Sequence, residues 1–193
     1  MEEIIYDIEG NSYQTIKIGN QIWMAENLKT SLFSDGSPIS MLTSNYEWQN
    51  VDTPCQCLYD NQDDNINFGR LYNWFCINQG NLCPEGWRNP TLDDWKTLTD
   101  NFGGFSLAGK ALQSENEFNA KLVGCRTGSF EGFGQIVFYW TANTDENQPT
   151  LPPPGKTSKA ISFKNGNGII NVTNEYQIEG FYIRCIKKNS TND

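Results

Sequence analysis

Histidine is absent from all 193 residues, and no other gap in the composition closes as much chemistry. Without an imidazole there is no Ser–His or Cys–His dyad, so an activated nucleophile would have to come from paired carboxylates, a lysine or a cysteine. Zinc is equally poorly served. Cys55-x-Cys57 is too tight for a Cys-x-x-Cys knuckle, and no second knuckle follows it. Basic residues are scarce as well, 14 against 23 acids for a net charge of −9, which repels nucleic acid and anionic membranes. Arg184, Lys187 and Lys188 are too few to reverse that balance and read as a solvated strand and tail. No apolar run approaches the roughly 20 residues needed to cross a bilayer. Met1-Glu2-Glu3 lacks the basic start and apolar stretch of a signal peptide, which leaves either a cytosolic chain or one whose export signal lies outside this sequence.

What the chain does have is aromatic bulk and turn chemistry. Six Trp, eight Tyr and eleven Phe can fill a large single core, while 17 Gly and eight Pro imply much irregular structure around it. The densest stretch is Cys83-Pro84-Glu85-Gly86-Trp87-Arg88-Asn89-Pro90-Thr91-Leu92-Asp93-Asp94-Trp95. Pro90 biases Asn89 toward extended backbone, Thr91 can cap a helix by accepting from the N–H of Asp94, and the two aspartates suit the positive end of its dipole. A helix is therefore predicted from Leu92, with Leu92, Trp95, Leu98, Thr99 and Phe102 on one stripe and Gly103-Gly104 as its stop. Trp87 and Trp95 are expected to be buried and structural.

Elsewhere, Tyr13 to Met24 reads as a hairpin turning at Gly19-Asn20, and Ala25 to Asp64 as mostly loop. Asn67 is placed to cap a second helix over Phe68 to Gln79, and a short helix or turn is expected within Ala108 to Phe118. Strands are expected at Ile136 to Ala142, Ala160 to Phe163, Ile169 to Val172 and Phe181 to Lys187. Asn143 to Thr157, with Pro152-Pro153-Pro154 inside it, is too long for an ordinary connection and so a place for function.

Several blocks, in order, carry a family resemblance: Ile18-Gly19-Asn20-Gln21-Ile22-Trp23-Met24-Ala25-Glu26-Asn27-Leu28, Gly69-Arg70-Leu71-Tyr72-Asn73-Trp74, Cys83-Pro84-Glu85-Gly86-Trp87-Arg88, Tyr139-Trp140-Thr141-Ala142 and Gly180-Phe181-Tyr182-Ile183-Arg184-Cys185. Together they resemble the Fibrobacter succinogenes major paralogous domain family, over about Tyr13 to Lys187. The Trp-Arg-x-Pro-Thr-x-x-x-Trp core is also similar to the sulfatase-modifying-enzyme superfamily, whose members share a C-type-lectin-like fold. The resemblance implies an α+β domain with two main helices against a twisted antiparallel sheet, neighbouring termini and long loops on one side. Residues 1–12 would be an N-terminal extension, 13–187 the domain and 188–193 a flexible tail. It also implies an exported or surface-attached bacterial protein, and a bridge between Cys83 and Cys185; Cys76 and Cys125 could pair next, while Cys55 and Cys57 have no evident partner and the redox state of these four stays open.

A non-enzymatic binding module is the function this supports, with a carbohydrate or a surface protein as ligand, no cofactor, no nucleic acid and no membrane span. The alternatives are an assembly component of a bacterial surface apparatus and a divergent thiol-dependent enzyme. Formylglycine-generating relatives work through a cysteine pair, a pattern not matched around Cys125. Glu115 and Glu117 read as a solvated face rather than a glycosidase pair. The acidic loop Asp60 to Asn65 has oxygens suited to calcium but neither the spacing nor the glycine of an EF-hand loop. The candidate ligand-binding residues are Asn143, Asp145, Glu146 and Asn147, then Asp60 and Asp63; Trp48 is expected to anchor the fold.

Overall fold

The computed structural model describes residues 3–114, 118–145, 155–166 and 168–188. In chain order its first elements are β1 (Ile4–Tyr6), β2 (Ser12–Ile18), β3 (Gln21–Met24), β4 (Ser40–Met41), α1 (Asn45–Gln49) and β5 (Cys55–Cys57). Two 3₁₀ turns follow, Tyr59–Asn61 and Asp63–Phe68, then β6 (Leu71–Tyr72), α2 (Trp74–Asn78), β7 (Trp87–Arg88), α3 (Leu92–Asp100) and α4 (Ala108–Leu112). The second half is strand-rich: β8 (Val123–Arg126), β9 (Phe130–Phe133), β10 (Ile136–Thr144), β11 (Thr157–Lys164), β12 (Ile170–Tyr176) and β13 (Ile186–Lys187).

These strands form three sheets, ordered β1-β2-β3-β13-β7, β12-β11-β10-β8-β9 and β4-β5-β6. Most neighbours run antiparallel; β8 with β10 and β4 with β5 are parallel. The architecture is mainly β, with a few short helices laid against it. β13 closes the first sheet between β3 and β7, so the last strand returns beside the first hairpin, and Lys187 Nζ lies 3.4 Å from Glu3 Oε2.

The helix at the densest stretch forms as its residues dictate. Thr91 caps α3 by accepting from Asp94 N–H, and Asp94 returns a carboxylate oxygen to Thr91 N–H, a complete capping box. Arg88 grips the same carboxylate through two nitrogens at 2.6 and 2.9 Å, tying β7 to the helix start. Burial alone would raise the Asp94 carboxyl, but the Arg88 and Thr91 donors hold it below its usual range. Inside, Trp95 is fully buried among Trp23, Phe118, Tyr139 and Phe163, and Trp87 is 6% exposed. Cys83 and Cys185 are bonded, with Cα atoms 6.0 Å apart and a sequence separation of 102, joining the start of this stretch to a point near β13.

The second predicted helix is corrected. Instead of one segment over Phe68 to Gln79 there is a 3₁₀ turn ending at Phe68, a two-residue strand and the five-residue α2, preceded by Asn73, whose Oδ1 accepts from Cys55 N–H rather than from the helix start. Gly69, at φ +88°, stops the turn, and a Cβ there would meet Asn27 at 2.5 Å, so the backbone is pressed against the Asn27–Leu28 segment. The β5–β6 pairing then outweighs the helical pattern of Leu71 and Trp74. Residues 25–64, predicted to be mostly loop, contain β4, β5 and α1. Cys76 and Cys125 do not pair: Cys76 Sγ turns to the carbonyl of Cys55 at 3.4 Å, and Cys55, Cys57, Cys76 and Cys125 are all buried free thiols.

Candidate functional site

Arg126, at the end of β8, positions the surface with the best claim to a ligand. Its guanidinium is fully buried and donates to the carbonyls of Leu42 and Thr43 and to Asn45 Oδ1. It also lies 4.3 Å from the Trp48 ring and 4.7 Å from that of Phe130. Nε has no acceptor, but Nη1 and Nη2 meet three acceptors drawn from one segment, which offset much of the cost of burying the charge and fix α1 against the second sheet. From the other side Trp48 Nε1 donates to the carbonyl of Ile178 at 2.7 Å. The approach is close enough that Gly180 could not carry a side chain, since a Cβ there would sit 2.8 Å from the Trp48 ring. Trp48 therefore anchors the fold, as expected.

The surface so framed is a groove of two adjoining cavities. One, of about 430 Å³, is lined by residues including Val51, Phe75, Lys156, Tyr176 and Ile178; the other, of about 420 Å³, by residues including Trp48, Thr127 and Glu179. Gln49, Tyr176 and Ile178 belong to both. An apolar and aromatic floor with a few polar groups at its margin is the usual make-up of a ligand site. Gly155 and Lys156, where the chain re-enters β11, line one end.

Carboxyl groups gather at the other end. Burial first, then the charge and hydrogen bonding of Glu175, then the charge of Glu131, push Glu179 up to about 8. Glu175 is raised as well, chiefly by burial. Glu179 Oε2 is closed off from solvent and accepts no hydrogen bond. Among the described residues, no group of three or more acidic or cysteine side chains is placed to hold a metal ion.

The predicted site residues are distributed differently. Asn143 Oδ1 accepts from the N–H of Leu92 at 2.7 Å, so its side chain helps to cap α3. Asp145 is 4% exposed, accepts from Thr157 Oγ1 at 2.8 Å and lies 3.7 Å from Lys159 Nζ. Both side chains are engaged in holding the ends of the loop. Glu146 and Asn147 lie outside the described residues, as do Glu115, Glu117 and the prolines at 152–154. Asp60 and Asp63 are exposed on the 3₁₀ turns, which Asn61 ties to Thr43 and Tyr59 packs against Phe130 and Phe133. Gln49, Tyr176, Glu175 and Glu179 were not anticipated. The signal available for three of them was the run Asn174-Glu175-Tyr176-Gln177-Ile178-Glu179, immediately before the Gly180-Phe181-Tyr182 block.

The four free thiols are buried and poorly ionised. Burial drives Cys57 up to about 11 and Cys125 up to about 12, with Cys55 and Cys76 raised as well, so thiolate is scarce at neutral pH.

The Fibrobacter succinogenes major domain model matches residues 16–187. The chain belongs to that family. As a Fibrobacter succinogenes major domain it carries the groove and the Cys83–Cys185 bridge within the matched span. No curated protein and no solved structure matches it. Among the described residues no helix is long and apolar enough to cross a membrane.

Proposed function

We propose that this chain is a non-enzymatic binding module that acts outside the cell, recognising a carbohydrate or protein ligand through loops held on a C-type-lectin-like scaffold. The observation that carries the reading is the groove between α1, α2 and the Tyr176–Glu179 turn, next to the point where the long loop rejoins β11. Recognition suits loops set on a rigid frame, and here the frame is pinned by Arg126, the Trp48–Ile178 hydrogen bond and the disulfide. The disulfide also favours an oxidising compartment. Deeply buried, raised thiols count against the thiol-dependent enzyme.

The test replaces residues 146–154 by a short Gly-Ser turn, leaving Asn143 and Asp145 in place, and probes glycan and protein arrays with both chains. The loop-replaced chain should keep its melting temperature and lose ligand. Full binding at unchanged melting temperature would place the site elsewhere. The assembly reading has one observation in its favour: Ile4, Tyr6 and Ile8 are exposed at alternate positions along the edge strand β1 and its continuation. Such a stripe suits protein contact.

A further inference from the structure

The groove is apolar along one lobe and acidic at the end of the other, and that pairing selects among ligands. Val51, Phe75, Tyr176 and Ile178 give the first lobe its apolar surface for an aliphatic stem, with Asp52 and Lys156 the charged groups that also line it. Glu179 lines the second, with Glu175 beside it on the same chain segment and Glu131 reaching it from β9. The charged and titratable groups acting on this end are Glu131, Glu175 and Glu179, the Cys125 thiol of β8, which feels all three, and Lys164 of β11, which acts on Glu175. Among the described residues no lysine or arginine forms an ion pair with any of the three glutamates. Glu179 shares a hydrogen bond with Glu175, and the pair has no ion-pair partner among the described residues, so ionising both carboxyls costs free energy unless a cation joins them.

We infer that the groove is a docking site for a basic side chain of a partner protein, a lysine or arginine whose stem lies along the Phe75–Tyr176–Ile178 lobe and whose cation reaches the Glu175–Glu179 pair. The inference rests on the binding-module reading and narrows it. Long basic side chains bury their methylenes against apolar surface while the charge stays with polar groups, and a guanidinium or ammonium gives the Glu175–Glu179 pair the counter-charge it lacks. The protein's net charge of −9 steers a basic partner toward it. In the free protein Glu179 holds a proton through most of the neutral range. Docking of the cation therefore releases that proton, and affinity rises with pH until the carboxyl ionises unaided.

The experiment measures binding of the intact chain to two sets of short synthetic peptides. One set carries a single Lys or Arg between apolar residues; the other carries norleucine or citrulline in its place. The basic peptides should bind at least about tenfold more tightly than their uncharged isosteres, a preference that weakens with salt. Their affinity should also rise by up to about tenfold per pH unit between about pH 6 and 8. In a Glu175→Gln/Glu179→Gln double variant both the preference and the pH slope should vanish. Because the peptide comparison is made on the unaltered chain, it holds even if the variant folds poorly. Equal binding of isosteres and basic peptides would overturn the inference while leaving a binding module in place. Silence of every peptide, alongside glycan or amino-sugar binding on arrays, would do the same. Silence on all arrays would remove both readings.

Discussion

Trp95→Ala is the substitution that tests whether this domain is built outward from α3. The indole is fully buried, with ring centroids 5.1 Å from Trp23, 5.5 Å from Phe118, 5.4 Å from Tyr139 and 6.1 Å from Phe163. Removing so large a side chain forfeits its transfer free energy and leaves a cavity whose walls are themselves large rings, unable to collapse. The expected cost is about 3–5 kcal/mol, in the upper part of that range. For a domain of this size the corresponding drop in melting temperature is about 6–20 °C. The assay is urea denaturation followed by fluorescence, with circular dichroism as a second probe. The midpoint should fall while the slope stays the same, because the surface exposed on unfolding barely changes. Trp95→Phe gives the control. Since Trp95 Nε1 has no acceptor, no hydrogen bond is lost with it, and the phenyl ring should recover more than half of the stability. An Ala variant that kept its melting temperature would refute the organising role assigned to this stretch.

Further predictions follow from the bridge, the carboxyl pair and the thiols. Replacing Cys83 and Cys185 together by Ala opens a loop spanning 102 residues and should cost about 4–5 kcal/mol in the chain-entropy account, so a reductant should lower the wild-type melting temperature and leave the double variant unmoved. Glu179 is raised from 4.5 to about 8 in the folded state, so the native protein holds a proton that the unfolded chain has lost across that window. Stability should therefore decline as pH rises between those values and level off above them, and Glu179→Gln should flatten the decline; parallel pH series of urea midpoints for the two proteins would rule out this account. Cys55, Cys57, Cys76 and Cys125 should resist a thiol reagent in the native state and all react in denaturant, and rapid native labelling of any one would contradict its burial.

Local chemistry made part of this protein legible from its residues. The Pro90–Thr91–Asp94 pattern specifies a helix start through short-range hydrogen bonds, and α3 begins at Leu92 as predicted. The Gly19-Asn20 turn sets the β2–β3 hairpin in the same way. The Cys83–Cys185 bond was implied by resemblance to a family rather than by any local rule, and the structure contains it.

Other features depended on partners distant in sequence. The segment after Phe68 has a helical pattern, yet the close approach of Gly69 to Asn27 and the pairing of β6 with β5 broke it into shorter pieces. Nothing local in the sequence marks Arg126 as a buried base. Only the fold brings Leu42, Thr43 and Asn45, more than eighty residues away, to its guanidinium. The same holds for the groove. Asn143 and Asp145 looked like free loop polars until α3 and β11 came within hydrogen-bond reach of them, whereas Glu131, Glu175 and Glu179 mean little until β9 and the turn after β12 meet. Sequence by itself determined the elements whose stabilising contacts lie within a few residues, together with the exclusion of histidine chemistry. Which polar groups hold the fold and which line the groove was decided by the tertiary structure, because burial and charge proximity are properties of packed surfaces rather than of neighbours along the chain.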